Sequence, residues 1–151
     1  MIDSFDDVLK ARRSTREYTE EGVSKEDMQQ IVEACTLAPS GMGRNELMFV
    51  GLTNEYAKEY LSIAKNKFGM DRYYGAKHII LVFRNKEIES LYLLDVGAAM
   101  ENMLLKATNL GLQSCWIHAA KDLAEDKDFS KFQEKLGLDS KYEILESIAI
   151  G

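Results

Sequence analysis

The stretch D-V-G-A-A-M-E-N-M-L-L-K-A-T-N-L-G-L-Q-S-C-W-I, residues 95–117, decides the fold. Together with the residues before it, it predicts a long helix over about residues 91–110 that is apolar on nearly every side. Such a helix lies at the centre of a fold or is shared with a second subunit. Gly111 is a favourable helix stop, and residues 112–117 then have the composition of a strand. The stretch therefore predicts a central helix that leads directly into the main sheet.

Apolar periodicity predicts the elements on either side of this stretch. One helix begins after Ser4 with Phe5, Val8 and Leu9 on one face, and a second is capped by Ser24. Strands are predicted at residues 47–52, 78–83 and near the end of the chain, a helix capped by Asn54, and a short surface helix or flap within residues 122–136. Helices alternate with strands, which favours a mixed α and β domain around one sheet.

Composition limits the classes of function. The chain has 151 residues, which suits a single domain over 1–151, and a net charge of -6, which argues against broad nucleic-acid binding. No signal peptide and no apolar run of about 20 residues are present, so no membrane span is expected. Cys35 and Cys115 lack CxxC spacing, and we expect two free thiols in a reducing, cytoplasmic setting.

The segment K-A-R-R-S-T-R-E-Y, residues 10–18, gathers three arginines and two hydroxyls in an otherwise acidic chain. Guanidinium groups match phosphate oxygens two at a time, and hydroxyls add neutral donors. The alternative is a solvated basic turn that pairs with the acidic residues just after it, Glu17, Glu20 and Glu21. The segment by itself leaves both interpretations open.

Other polar and small residues give weaker signals. The turn A-P-S-G-M-G-R-N-E, residues 38–46, holds the only proline and would allow a flat ligand close to the backbone. No cluster at metal-ligand spacing and no nucleophile motif occurs, so no metal is expected. Asp95, Glu101 and Asn102 are polar residues on the apolar helix, where they could cap backbone groups or contact a ligand.

Taken together, three segments resemble the nitroreductase family of flavin enzymes. These are R-R-S-T-R near the start, A-P-S-G after the second helix, and residues 95–117, which are similar to the family's central helix and its G-L-x-S-C-W-like strand. The resemblance implies an α+β sandwich, with a central, mostly antiparallel sheet flanked by helices. It also implies an intertwined homodimer that holds FMN at its interface.

The resemblance also implies residues that hold the flavin. Arg12 and Ser14 would contact the phosphate side, with Arg13 adjacent, and Arg16 would reach the pyrimidine end of the ring. The loop of the other subunit would lie against the flavin. The contacts implied from that loop are Pro39, Ser40, Gly41 and Asn45. Backbone groups of three residues after the S-C-W strand would lie beside the ring, with no side-chain role assigned: Ile117, His118 and Ala119.

The chemistry implied by the family is two-electron transfer from NAD(P)H through FMN to a small-molecule acceptor such as a nitro compound or a quinone. Because the cofactor carries the difficult step, no catalytic acid or base is named. Two alternatives remain: a flavin-binding sensor or carrier without turnover, and an anion-docking module for a phosphorylated or nucleic-acid partner that binds no flavin.

The sequence departs from the family pattern in three places. In the loop, Gly43, Asn45, Glu46 and Leu47 stand where the family commonly has Asn, Gln, Pro and Trp, which predicts an unusual substrate side of the pocket. Lys77 replaces a common proline. The family's C-terminal tail, which brings a basic residue to the phosphate, is short or missing here, and we expect a trimmed or disordered tail to account for it.

Overall fold

A computed structural model describes residues 1–151, and its centre is a sheet of four strands. The strands are β1 (Leu47–Leu52), β2 (His78–Asn85), β3 (Ser114–Ile117) and β4 (Tyr142–Ile150). Their order in the sheet is β1-β2-β4-β3, and each neighbouring pair is antiparallel.

Five α-helices surround the sheet. They are α1 (Phe5–Ala11), α2 (Lys25–Thr36), α3 (Asn54–Phe68), α4 (Tyr92–Asn109) and α5 (Lys127–Lys135). Short 3₁₀ turns span Gly41–Gly43 and His118–Leu123. None of the helices combines the length and the apolar composition that crossing a bilayer needs.

The side chains of strand β2 pack into two hydrophobic cores, one on each face of the sheet. Successive side chains of a strand point to opposite faces, and here Ile79, Leu81 and Phe83 pack with α3 and α5, whereas Ile80 and Val82 pack with α2 and α4. All five are fully buried. The continuous apolar run therefore forms a strand covered on both faces, and the predicted sheet flanked by helices is confirmed.

The central helix is confirmed, but its apolar surface is only partly covered within one chain. Val96, Met100 and Met103 are buried against the sheet and α2. Leu93 and Leu94, at its start, are 70% and 71% exposed. The helix therefore serves as the core of one layer and leaves an apolar end at the surface.

The first helix begins after Ser4 as predicted, but most of its apolar face is uncovered. Only Val8 is buried, while Phe5 and Leu9 are 67% and 47% exposed. The helix has only seven residues, and no other element of the chain covers its remaining apolar side chains. Apolar spacing indicated the correct helix but not how much of it would be covered.

A helix is present within residues 122–136, as predicted, but it is not a surface helix or flap. Phe129 and Phe132 of α5 are essentially fully buried, and Phe129 stacks on Phe83 at a centroid distance of 6.3 Å. Asp126 caps the helix by accepting hydrogen bonds from the backbone N–H groups of Asp128 and Phe129, each at 3.0 Å. This segment closes one side of the core.

The start of α3 and the start of β3 also differ from the predicted positions. Thr53 occupies the cap position of α3, and Asn54 is the first helical residue, with a positive φ of 50° that Asn tolerates better than most residues. Strand β3 begins at Ser114, because Leu112 still donates a hydrogen bond back to Ala107 at the helix end.

The serines at the N-cap positions of α1 and α2 provide a first prediction. Ser24 Oγ accepts a hydrogen bond from Asp27 N at 3.0 Å, whereas Ser4, in the same position before α1, makes no side-chain cap bond. We expect Ser24→Ala to lower the free energy of unfolding by about 1 kcal/mol, and the matched Ser4→Ala variant to lower it much less. Urea unfolding of both variants measures the difference, and equal losses would contradict the assigned cap.

Candidate functional site

The arginine segment lies along the free edge of β3. Ser14 forms a parallel bridge with Ser114, and Thr15 N donates to Ser114 O at 2.9 Å. Thr15 Oγ1 also donates to Gln113 Oε1 at 2.7 Å. These bonds fix the backbone of residues 14–15 to the sheet, so the guanidinium groups on either side extend from an anchored segment.

The three guanidinium groups have few anionic partners. Arg12 Nε lies 3.7 Å from Glu101 Oε1, which is a long ion pair, and neither Arg13 nor Arg16 pairs with a carboxylate. Arg13 Nη1 donates to the carbonyls of Lys10 and Arg12, both at 2.8 Å, and so caps the end of α1. Of the acidic residues after the segment, only Glu20 forms an ion pair, with Lys77. The basic turn is therefore not neutralised by its neighbours.

Arg16 also faces β3. Its guanidinium carbon lies 5.8 Å from the centre of the Tyr74 ring. Burial raises the pKa of the Cys115 thiol, and the positive charge of Arg16 opposes that rise. Cys115 is a buried residue of β3. Because the charge of Arg16 acts on its thiol, the Arg16 guanidinium lies close to this strand. Ser114 Oγ, also buried, has no hydrogen-bond partner there.

Ile117, the last residue of β3, and the next two residues, His118 and Ala119, line a cavity of about 230 Å³. Ile117 O accepts a hydrogen bond from Ser147 Oγ at 2.8 Å. His118 and Ala119 begin the 3₁₀ turn, and the His118 side chain is largely exposed. Tyr74 lines the same cavity, so the cavity and the arginine segment meet at one end of β3.

A buried carboxylate organises this cavity. Glu146, on β4, is 7% exposed. Its Oε2 accepts from Trp116 Nε1 at 2.7 Å, and its Oε1 lies 2.5 Å from His118 Nδ1. Each carboxylate oxygen therefore has a partner, and the two ring systems beside the cavity are held in fixed orientations. The sequence analysis did not identify Glu146, although an acidic residue inside an apolar strand was an available signal.

The loop after α2 is held by the central helix. Gly41 N donates to Asp95 Oδ1 at 2.8 Å, and Asn45 N donates weakly to Ser40 Oγ at 3.4 Å. Asp95 therefore caps backbone, one of the two roles predicted for it. Pro39, Ser40 and Asn45 line a second cavity, of about 330 Å³, whereas Gly41 does not.

The predicted site residues thus fall into two groups. The arginine segment runs from Arg12, beside Glu101 of α4, past β3 to Arg16, beside Tyr74, and residues 117–119 lie at the end of that strand. The loop residues lie beside α2, β1 and the start of α4. No hydrogen bond or ion pair joins the loop to the arginine segment. No group of three or more metal-ligating side chains occurs in either place.

The second cavity contains a buried carboxyl group whose surroundings the sequence did not predict. Glu46, noted as a departure from the family's proline, is buried beside Asp95. Burial raises the pKa of the Glu46 carboxyl, and the nearby Asp95 raises it further. Two neighbouring carboxyl groups therefore lie in the wall of this cavity, one of them at a position where the loop departs from the family pattern.

Known proteins share this architecture. A nitroreductase of Bacteroides fragilis with bound FMN superposes with a TM-score of 0.86 at 27% identity, over 99% of this chain and 88% of that one. An FMN-dependent nitroreductase of Clostridium difficile is 33% identical, over 95% of this chain and 84% of that one, with a TM-score of 0.78.

Sequence comparisons agree with the structural ones. A curated protein of Archaeoglobus fulgidus, provisionally named as an NADH dehydrogenase/NAD(P)H nitroreductase, is 25% identical over 95% of this chain and 82% of its own length. The sequence profile of the Nitroreductase family matches residues 9–151. Because the match covers nearly the whole chain and its central helix, sheet and arginine segment, the chain belongs to the nitroreductase family.

Proposed function

We propose that this protein is an FMN-dependent oxidoreductase that uses NAD(P)H to reduce nitro compounds, quinones or related small acceptors. The observation that carries the proposal is the anchored arginine segment, whose guanidinium groups have one long ion pair among them. Family membership and the FMN-bound relatives support it.

The residues around β3 suit a planar, phosphorylated cofactor. Arg12 and Ser14 offer a cation and a hydroxyl for the phosphate, and charge-assisted hydrogen bonds of this kind are the strong ones. Arg16 offers a second cation near the end of β3, where it would stabilise negative charge on a reduced ring. Arg13 would hold the segment in place through the carbonyls at the end of α1.

Residues 117–119 would provide backbone groups beside the ring. Ser147 fixes the Ile117 carbonyl, and Glu146 fixes the His118 imidazole, so this edge of the site is rigid before any ligand binds. Bound FMN would supply two-electron transfer between NAD(P)H and the acceptor. The contribution of the chain is to bind and orient it.

A homodimer would complete the site. The loop residues Pro39, Ser40, Gly41 and Asn45 have no bond to the arginine segment of their own chain, which is consistent with their serving the flavin of a second copy. The exposed leucines at the start of α4, Leu93 and Leu94, offer apolar surface for that contact.

The test is spectroscopic and kinetic. Purified protein is expected to show flavin absorbance after incubation with FMN, and to oxidise NADH or NADPH when a nitroaromatic compound or a quinone is added. Flavin absorbance without turnover would indicate a binding protein instead of an enzyme. Protein that stays colourless in saturating FMN would refute the proposal and favour the anion-docking alternative.

A further inference from the structure

A buried chain of three hydroxyl groups leads from the aromatic core to the end of β3. It runs from Tyr60 of α3 through Tyr73, which lies between α3 and β2, to Ser147 of β4, and it ends at the Ile117 carbonyl. Tyr73 Oη lies 2.9 Å from Ser147 Oγ, which lies 2.8 Å from Ile117 O. All three side chains are at most 1% exposed, so water does not compete for these bonds.

The hydrogens of this chain can point in only one direction. A carbonyl oxygen carries no hydrogen, so the 2.8 Å contact requires Ser147 to donate to Ile117. A hydroxyl has one hydrogen, so Ser147 must then accept from Tyr73, and Tyr73 must accept from Tyr60. Burial raises the pKa of the Tyr73 hydroxyl to about 12 and the pKa of Tyr60 well above its usual value, so both keep their hydrogens at neutral pH.

The last bond of the chain acts on the peptide group between Ile117 and His118. The Ile117 carbonyl and the His118 N–H share one resonance-stabilised unit. Donation to the carbonyl draws electron density from the nitrogen, which makes the N–H a stronger donor, and successive hydrogen bonds in a chain strengthen one another. His118 begins the 3₁₀ turn, so its N–H has no partner within the turn. It also donates to no acceptor elsewhere in the chain, and so it is free to bind a ligand.

We propose that Tyr60, Tyr73 and Ser147 form a positioning relay that strengthens the His118 N–H as a hydrogen-bond donor to the flavin and so raises the flavin's reduction potential. The inference rests on the proposed function, in which residues 117–119 lie beside the ring. Hydrogen bonds to a flavin ring tune its electronics. A stronger donor to a ring oxygen favours the reduced state, because that oxygen gains negative charge on reduction. The relay would thus act from side chains that never touch the cofactor.

The tyrosine rings have a packing role that can be separated from the relay. Tyr60 meets Tyr73 edge to face at a centroid distance of 5.5 Å, and it also packs against Phe129 and Phe132. These contacts need only the rings, and phenylalanine would keep them. The hydroxyls contribute to the hydrogen-bonded chain alone. Replacement of either tyrosine by phenylalanine therefore breaks the relay and leaves the packing in place.

The experiment compares Tyr60→Phe, Tyr73→Phe and Ser147→Ala with the parent protein by two measurements. The first is the carbonyl-carbon NMR resonance of Ile117 in flavin-free protein, which should move to lower frequency as the bond to the carbonyl weakens. The second is the redox equilibrium of the FMN-loaded protein with a reference dye. Cooperativity strengthens each bond of a chain by roughly 10–30%, so we expect this equilibrium to move about threefold towards oxidised flavin in Tyr73→Phe. For a two-electron couple that change corresponds to about 15 mV.

The size of the effect should follow the position in the chain. We expect Ser147→Ala to change both measurements most, because it removes the bond to the carbonyl, and Tyr60→Phe to change them least. Tyr142→Phe is the matched control, since Tyr142 lies on β4 with Ser147 but its hydroxyl is not part of the chain. This variant should change neither measurement.

Three results would overturn the proposal: an unchanged Ile117 resonance in Tyr73→Phe, an unchanged dye equilibrium in that variant, or an equal change in Tyr142→Phe. Should Tyr73→Phe not fold, the same results are read from Tyr60→Phe. A protein that binds no FMN would refute the proposed function instead. The Ile117 resonance is measured without flavin, so it still decides whether the three hydroxyls act on this peptide group.

Discussion

Arg16→Ala is expected to weaken FMN binding by roughly tenfold to a hundredfold, the loss typical of a hydrogen bond to a charged group. It is also expected to lower the reduction potential of the bound flavin by about 30 mV, which for a two-electron couple corresponds to about 1.4 kcal/mol. The reason is that Arg16, which lies near Tyr74 and the end of β3, would stabilise the negative charge of the reduced ring. Fluorescence titration measures the affinity, and equilibration with a reference dye measures the potential.

Lys65→Ala is the matched control, since it removes an exposed cation from the last turn of α3, away from β3. It should change neither quantity. If Arg16→Ala leaves both the affinity and the potential as they are in the parent protein, Arg16 does not face the flavin, and the proposed orientation of the cofactor is wrong.

Phe129→Ala is expected to lower the free energy of unfolding by about 3–5 kcal/mol. Phe129 is fully buried, stacks on Phe83 and meets the edge of Tyr60, so its removal leaves a cavity lined by rigid rings. A domain is usually stable by only about 5–15 kcal/mol, and this single change therefore removes a large share of the total. Urea unfolding followed by circular dichroism measures the loss.

The control for this variant is in the same helix. Lys131 is exposed, and Lys131→Ala should change stability by less than about 0.5 kcal/mol. A loss below about 1 kcal/mol in Phe129→Ala would show that α5 can detach without disturbing the core, as in the flap that the sequence alone suggested.

The layered fold could be predicted from sequence because its signals are local. The run from Ile79 to Phe83 is apolar at every position, and a strand between two layers buries such a run on both faces. Ser24, three residues before Asp27, marked the start of α2 correctly. Local patterns such as these do not depend on what packs against them.

Burial of the peripheral helices could not be predicted, because it depends on contacts distant in the sequence. Phe5 and Phe129 each lie on the apolar side of a short helix, yet one is exposed and the other is fully buried. The difference comes from Phe83 and Tyr60, which meet only Phe129. Spacing along a helix carries no information about those partners.

In the candidate site, too, local features could be predicted from the sequence, whereas contacts between distant residues could not. The arginine segment was identified by composition, but its attachment to β3 through Ser114 joins residues a hundred positions apart and leaves no local trace. Glu146 and the pairing of Glu46 with Asp95 are likewise products of the tertiary fold. Polar residues within apolar segments were the available signals for both.

Trp116 has a practical consequence for all of these measurements. It is the only tryptophan in the chain, and its indole N–H donates a hydrogen bond to Glu146. Trp116 also lines the cavity formed with residues 117–119. Excitation near 295 nm would therefore report on a single position, with no background from other indoles. Any molecule that settles in that cavity should change the intensity or colour of this emission, so the protein contains its own optical sensor at the place where the flavin ring is proposed to lie.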